Sequence, residues 1–95
     1  MTKIIARISS KAEATPELRE ILKALVAPSR AETGCLSYEL FQDEENPQDF
    51  VTMEDWTDQA AADAHMATEH VTEAITKASS LLAQLPIIHR FTQLA

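Results

Sequence analysis

One glycine and one cysteine occur in 95 residues. A single glycine, Gly34, leaves no room for a GxGxxG or P-loop phosphate cradle. It is also too few for the many tight turns of a β-sandwich. The lone Cys35 excludes an intramolecular disulfide framework and points to a reducing compartment. Long apolar runs are missing as well. No stretch approaches the ~20 apolar residues that span a bilayer. "MTKIIARISS" meets Arg7 before it builds the apolar core of a signal peptide. The expected location is therefore the cytoplasm.

Basic residues are absent over a long interval. Ala31 to Thr76 holds twelve Asp or Glu and no Lys or Arg, whereas the remainder holds eight basic residues against three acidic ones. The net charge of −7 disfavours nucleic acid and anionic membrane surfaces as partners. The acidic and basic regions should attract each other, within a subunit or between subunits, and the acidic interval reads first as a solvated face. Apolar residues make up 45% of the chain, a globular composition, and the length fits one domain over residues 1–95. A chain this short buries a limited fraction of its surface, a limit that a dimer would relieve.

"KIIARIS", residues 3–9, reads as a strand with Ile4, Ala6 and Ile8 on one face. Thr15 is a candidate N-cap, with Pro16 at the first helical position. Leu18, Ile21, Leu22, Leu25 and Val26 then form an apolar helical stripe. Pro28 should kink or break this helix, and Gly34 should end its continuation. "CLSYELFQ" (35–42) and "FVTMEDW" (50–56), joined by a polar loop with Asn46-Pro47 as the turn, form a β-hairpin. Leu36, Tyr38 and Leu40 share one face of it, as do Phe50, Thr52, Glu54 and Trp56. A helix capped by Thr57 or Asp58 follows. A break near Ala67 precedes a second segment capped by Thr68, which runs through Val71, Ile75, Ala78 and Leu82 and ends at Pro86. "IIHRF" (87–91) is the last strand.

The order β-α-β-β-α-β is that of the ferredoxin-like fold, an α+β arrangement in which two helices cover one face of a four-stranded antiparallel sheet. Its strands carry apolar residues on both sides, where a water-facing sheet would alternate more cleanly. The second face is therefore expected to bury itself against another sheet in a two-fold homodimer.

Each candidate for chemistry has a plain structural role beside it. Trp56 is a core anchor or the wall of a flat aromatic site. Glu54 shares its strand face. It is either hydrogen-bonded structurally to a helix or paired with Arg7 or Arg90, or it is a pocket carboxylate that orients a histidine or binds a substrate hydroxyl. His65 and His70, five apart, would lie about 140° from each other on one continuous helix. That is not the i, i+4 spacing of a zinc pair, and no metal site is expected. His65 shares a face with Ala61 and Ala64, which leave room beside a side chain suited to moving protons near neutral pH. Tyr38 is a core or pocket residue. His89 lines a pocket or faces the dimer seam. Cys35 lacks an evident base to lower its pKa, and no Ser nucleophile elbow exists.

The stretch "ETGCLSYELFQDEENPQDFVTMEDWTDQAAADAHMATEH" resembles the antibiotic biosynthesis monooxygenase family, including small bacterial quinol monooxygenases. Glu32, Gly34, Cys35, Tyr38, Asn46-Pro47, Phe50, Glu54, Trp56, His65 and His70 carry the likeness. The resemblance implies a dimeric α/β barrel-like assembly with a pocket between sheet and helices in each subunit. It also implies oxidation of a quinol or similar electron-rich small aromatic by O2, without flavin, haem or metal. His65, His70 and Glu54 would then be the catalytic candidates, and Trp56 and Tyr38 the substrate-binding ones. Haem-degrading relatives use an Asn on the first strand and a His on the second helix. "KIIARIS" lacks the first and Val71 to Leu85 lacks the second, so haem degradation is not expected. An isomerase of the same fold and a non-catalytic dimeric small-molecule-binding module are the competing readings. A cavity of at least ~300 Å³ beside Trp56 would favour ligand binding, and a filled core a structural protein.

Overall fold

The computed structural model describes residues 1–95. Strand β1 (Thr2–Ser9) leads through a 3₁₀ turn at Ala12–Ala14 into helices α1 (Thr15–Ala24) and α2 (Val26–Arg30). Strands β2 (Cys35–Gln42) and β3 (Asp49–Trp56), helices α3 (Gln59–Met66) and α4 (Glu69–Ala78), and strand β4 (Ile87–Thr92) complete the chain. The antiparallel sheet has the order β2-β3-β1-β4, which places β1 between β3 and β4. This is the ferredoxin-like arrangement expected from the element order. No helix is long and apolar enough to cross a membrane.

Strand parity sorts the side chains as expected. Ile4, Ala6, Phe50, Thr52, Glu54 and Trp56 are buried on the helix-covered face. Leu18, Leu22 and Leu25 from the first helical segment meet Phe50 and the α4 residues Val71, Ala74 and Ala78 in one core cluster. A second cluster joins Ile4, Tyr38, Trp56 and Ala62. The opposite sheet face is open and apolar: Phe41, Met53, Ile87 and Phe91 are all exposed. His89 lies on that face, its ring stacked 6.1 Å from that of Phe91.

Several boundaries differ from the sequence expectation. Thr15 does not cap α1; Ala14 does, and the Thr15 hydroxyl bonds Ser10 Oγ at 2.7 Å instead. The helical run breaks at Leu25, ahead of Pro28, which lies inside α2. Proline has no N–H for the carbonyl four residues back and its ring crowds that carbonyl. Here that carbonyl belongs to Ala24, where α1 ends. Gly34 is not the stop of α2, which closes on Ala31. Gly34 instead makes the entry to β2 with φ +88°, its carbonyl accepting the Thr57 N–H at 2.9 Å. Leu36 is 58% exposed rather than packed with Tyr38, because a bulge between Cys35 and Ser37 disturbs the register there. Helix α4 ends at Ala78, well before Pro86, and the following turn pairs Leu82 with Ser10 beside the end of β1. The acidic and basic regions do meet, through Lys3–Asp55 at 2.8 Å and Arg90–Asp63 at 2.7 Å.

Candidate active site

Glu54 occupies a sheet-centre position where an apolar residue would ordinarily sit, and it is 4% exposed. A buried carboxylate needs partners. Neither Arg7 nor Arg90 supplies them; Arg90 is held by Asp63. The partners come from its own strand face. Thr52 Oγ1 donates to Oε2 at 2.7 Å and Trp56 Nε1 donates to Oε1 at 3.1 Å. The period of two along a strand brings both donors to the same side.

His65 lies opposite, on the inward face of α3. Asp58 caps this helix, accepting the Ala61 N–H at 2.8 Å. The inward face is Ala62 and His65, with Ala61 and Met66 half-buried beside them; Ala64 points outward, contrary to the expected face. The imidazole is packed between rings, its centroid 4.6 Å from that of Trp56 and 5.6 Å from that of Tyr38. Its Nε2 lies 3.5 Å from Glu54 Oε1.

Its other nitrogen faces a residue that the candidate set did not contain. His65 Nδ1 is 2.6 Å from Glu32 Oε2, and the same oxygen is 2.8 Å from His70 Nε2. The two histidines converge because the helix breaks where expected. The Thr68 hydroxyl donates to the His65 carbonyl at 2.7 Å and accepts the Val71 N–H at 3.4 Å, so one threonine closes α3 and caps α4. Glu32 is fixed from both sides. Its N–H bonds the Ser29 carbonyl, its carbonyl accepts the Cys35 N–H, and Arg30 Nε ties α2 to the Tyr38 carbonyl at 2.9 Å.

An ionised carboxylate only accepts. With both rings donating to Glu32, a neutral His65 carries its proton on Nδ1 and presents a lone pair at Nε2, toward Glu54. A proton taken up at Nε2 leaves the ring's positive charge between two carboxylates. Glu32 Oε2, His65 Nδ1 and His70 Nε2 lie within 4.8 Å of one another, a set that offers three ligand atoms of the kinds that hold a transition metal. Five-residue spacing on one helix gives no such set; two helices and a loop residue do. The separations are hydrogen-bond distances, so the three groups satisfy one another directly.

A cavity of about 690 Å³ opens beside this cluster. Tyr38, Thr52, Glu54 and His65 form one polar part of its wall; mostly apolar side chains of the helices, β1 and the segment leading into β4 line the rest, with Ser79 and Gln84 among them. Trp56 does not line it. The indole is fully buried behind Glu54 and His65, where it orients both. His70 does not line it either. It faces a separate groove of about 330 Å³ between α1 and α4. Burial and the nearby charge of Glu54 push the Tyr38 hydroxyl well above its ordinary pKa, which favours its protonated form. Burial, then the charges of Glu32 and Glu54, raises the Cys35 thiol, which disfavours its thiolate form.

Residues 1–77 match the family model described as antibiotic biosynthesis monooxygenase. The chain belongs to the antibiotic biosynthesis monooxygenase family. Among relatives of this family, "Putative monooxygenase YcnE" of Bacillus subtilis is 36% identical over 78 residues, which cover 82% of each chain. "Putative monooxygenase Rv0793" of Mycobacterium tuberculosis is 31% identical over 81 residues, 85% of this chain and 79% of that one. An uncharacterized Synechocystis protein, sll1783, is 32% identical, and the match spans only 55% of its length. A crystal structure of an antibiotic biosynthesis monooxygenase superposes with a TM-score of 0.94 at 35% identity, covering both chains fully. PA3566 from Pseudomonas aeruginosa superposes at 0.93 and 38% identity, over 99% of this chain and 94% of that one. The family assignment supports a monooxygenase-type function.

Proposed function

We propose that this family member is a cofactor-independent monooxygenase that oxidises a quinol or similar electron-rich small aromatic with O2. The observation that carries the reading is the His65 ring, with a carboxylate facing each nitrogen, on the wall of a cavity that is mostly apolar. Its volume of about 690 Å³ exceeds the ~300 Å³ expected of a small-molecule site, which disfavours a purely structural protein.

The reaction begins with proton removal. His65 Nε2 takes the proton of a ring hydroxyl, and the electron-rich anion gives one electron to O2. The radical pair joins through a C–O bond, and protonation yields a ring hydroperoxide. Elimination then breaks the O–O bond: one oxygen stays on carbon, the other leaves as water, and a quinol becomes a hydroxyquinone. The substrate supplies every electron. The Tyr38 hydroxyl holds the developing oxyanion, Glu54 steadies the protonated His65, and Trp56 fixes the orientation of both. The apolar walls exclude water from the charged intermediates. The same reading makes the protein a homodimer joined through the open sheet face.

Oxygen uptake by metal-stripped protein, over a panel of mono- and bicyclic quinols, tests this. His65→Ala should lower turnover by about a hundredfold or more. Equal uptake by wild type and variant would sink the assignment. A proton-moving histidine between carboxylates also suits an isomerase of the same fold. Incorporation of solvent deuterium into substrate without oxygen uptake would decide for that activity.

A further inference from the structure

His70 is not on the wall of the large cavity, and the reaction proposed above gives it no contact with substrate. Its position nevertheless completes a continuous line. From the cavity outward, the side chains of His65, Glu32 and His70 are 3%, 13% and 27% exposed. The two links between them are 2.6 and 2.8 Å, both short enough for proton transfer along a hydrogen bond. The line ends at the groove between α1 and α4, which Glu20, Glu73 and Lys77 line together with the partly exposed His70.

We propose that Glu32 and His70 form a proton conduit that connects the buried His65 to bulk water by a route separate from the substrate cavity. The inference rests on the reading of His65 as the proton acceptor. It explains how a base enclosed by Trp56, Tyr38 and a bound aromatic can exchange protons while substrate fills the cavity. Nδ1–H of protonated His65 passes to Glu32 Oε2. Oε2–H then passes to Nε2 of the His70 ring, whose resting Nε2 proton has first moved to Nδ1 through water in the groove, and the imidazolium so formed releases its Nδ1 proton to that water. Only N–H and O–H bonds change. The reverse sequence delivers the proton that the peroxide stage consumes, so the cycle is proton-neutral. The release to water leaves His70 with Nε2–H donating to Glu32, its resting tautomer. Glu32 and His70 are positioning and relay groups here; neither touches substrate.

The first test needs no substrate. Exchange of the His65 Nδ1 proton with water, followed by NMR in the ligand-free protein, should slow about tenfold or more in His70→Gln. Glutamine can still donate a hydrogen bond to Glu32 but cannot relay a proton. Glu32→Gln should slow exchange similarly. Equal exchange rates in wild type and His70→Gln overturn the conduit. The second test uses the fastest quinol of the panel. His70→Ala should lower kcat with KM unchanged, and imidazole, for which the groove has room, should restore kcat saturably. If imidazole does not restore it, or if His70→Gln keeps full activity, His70 is only structural. The outcomes separate the two claims. Loss of activity in His65→Ala with wild-type exchange in His70→Gln removes the conduit alone. Full activity in His65→Ala removes the functional reading, whatever the exchange rates are.

Discussion

Glu54 shows how much one buried charge can organise. Its two oxygens accept from Thr52 and Trp56, so three side chains on one strand face are locked before any ligand arrives. Glu54→Gln replaces one acceptor by a donor and leaves Thr52 or Trp56 without a partner. A loss of about 1–3 kcal/mol is expected, read as a lower urea midpoint with an unchanged slope. Asp55, one residue on and on the other face, behaves differently. The hydrogen bond from Lys3, reinforced by Ser37, holds its carboxyl below the usual carboxylate range. A depressed folded-state pKa contributes stability above the unfolded value of about 3.9 and loses it as pH falls through the folded value. Wild type should therefore exceed Lys3→Met in stability at neutral pH, with the gap closing below about pH 4. Parallel stability curves across that range would show that the pair contributes nothing to stability.

Among the elements, the loop between α2 and β2 matters most to the site, because it carries Glu32 and Gly34. Gly34 has a left-handed φ of +88°, and a Cβ there would meet Ala61 Cβ at 2.7 Å and Thr57 Oγ1 at 2.8 Å. Gly34→Ala is thus strained in conformation and in space. It should cost about 1–3 kcal/mol and push α3, with His65, away from the sheet. Chemical denaturation and the near-ultraviolet signal of Trp56 would register both effects. The same loop marks where sequence reading stopped. Strand parity put Glu54 and Trp56 on one face, and the threonine signal at position 68 separated α3 from α4, because both depend on neighbours in sequence. Glu32 lies in a segment with no periodicity, and its partners are 33 and 38 residues away. Its role became visible only when the fold brought the loop against the helix break. Trp56 stayed open between core anchor and pocket wall for the opposite reason, and the structure places it in the core. Parity selects a face but not a depth, and Glu54 and His65 intervene between the indole and the cavity.

For the molecule as a whole, the open sheet face dictates behaviour in solution. Phe41, Met53, Ile87 and Phe91 are each between 41% and 48% exposed, interspersed with the charged Lys3, Arg7, Glu39 and Asp55 on the same face, and exposed apolar area of this kind marks an interface. Met53→Lys should yield a folded monomer, since Glu39 lies across the strand pair from position 53 and would accept the new charge. Sedimentation velocity would show a dimer in wild type and a monomer in the variant; a monomeric wild type would refute the face as a subunit contact. The strand order has a kinetic consequence. Strand β1 lies between its two neighbours, and Thr2 pairs with Trp56 on one side and Thr92 on the other. On the ribosome, β1 emerges well before β4 and waits for it before its second edge is satisfied. Folding must close almost the whole chain into a loop, so refolding should be gated by that long-range search rather than by the helices.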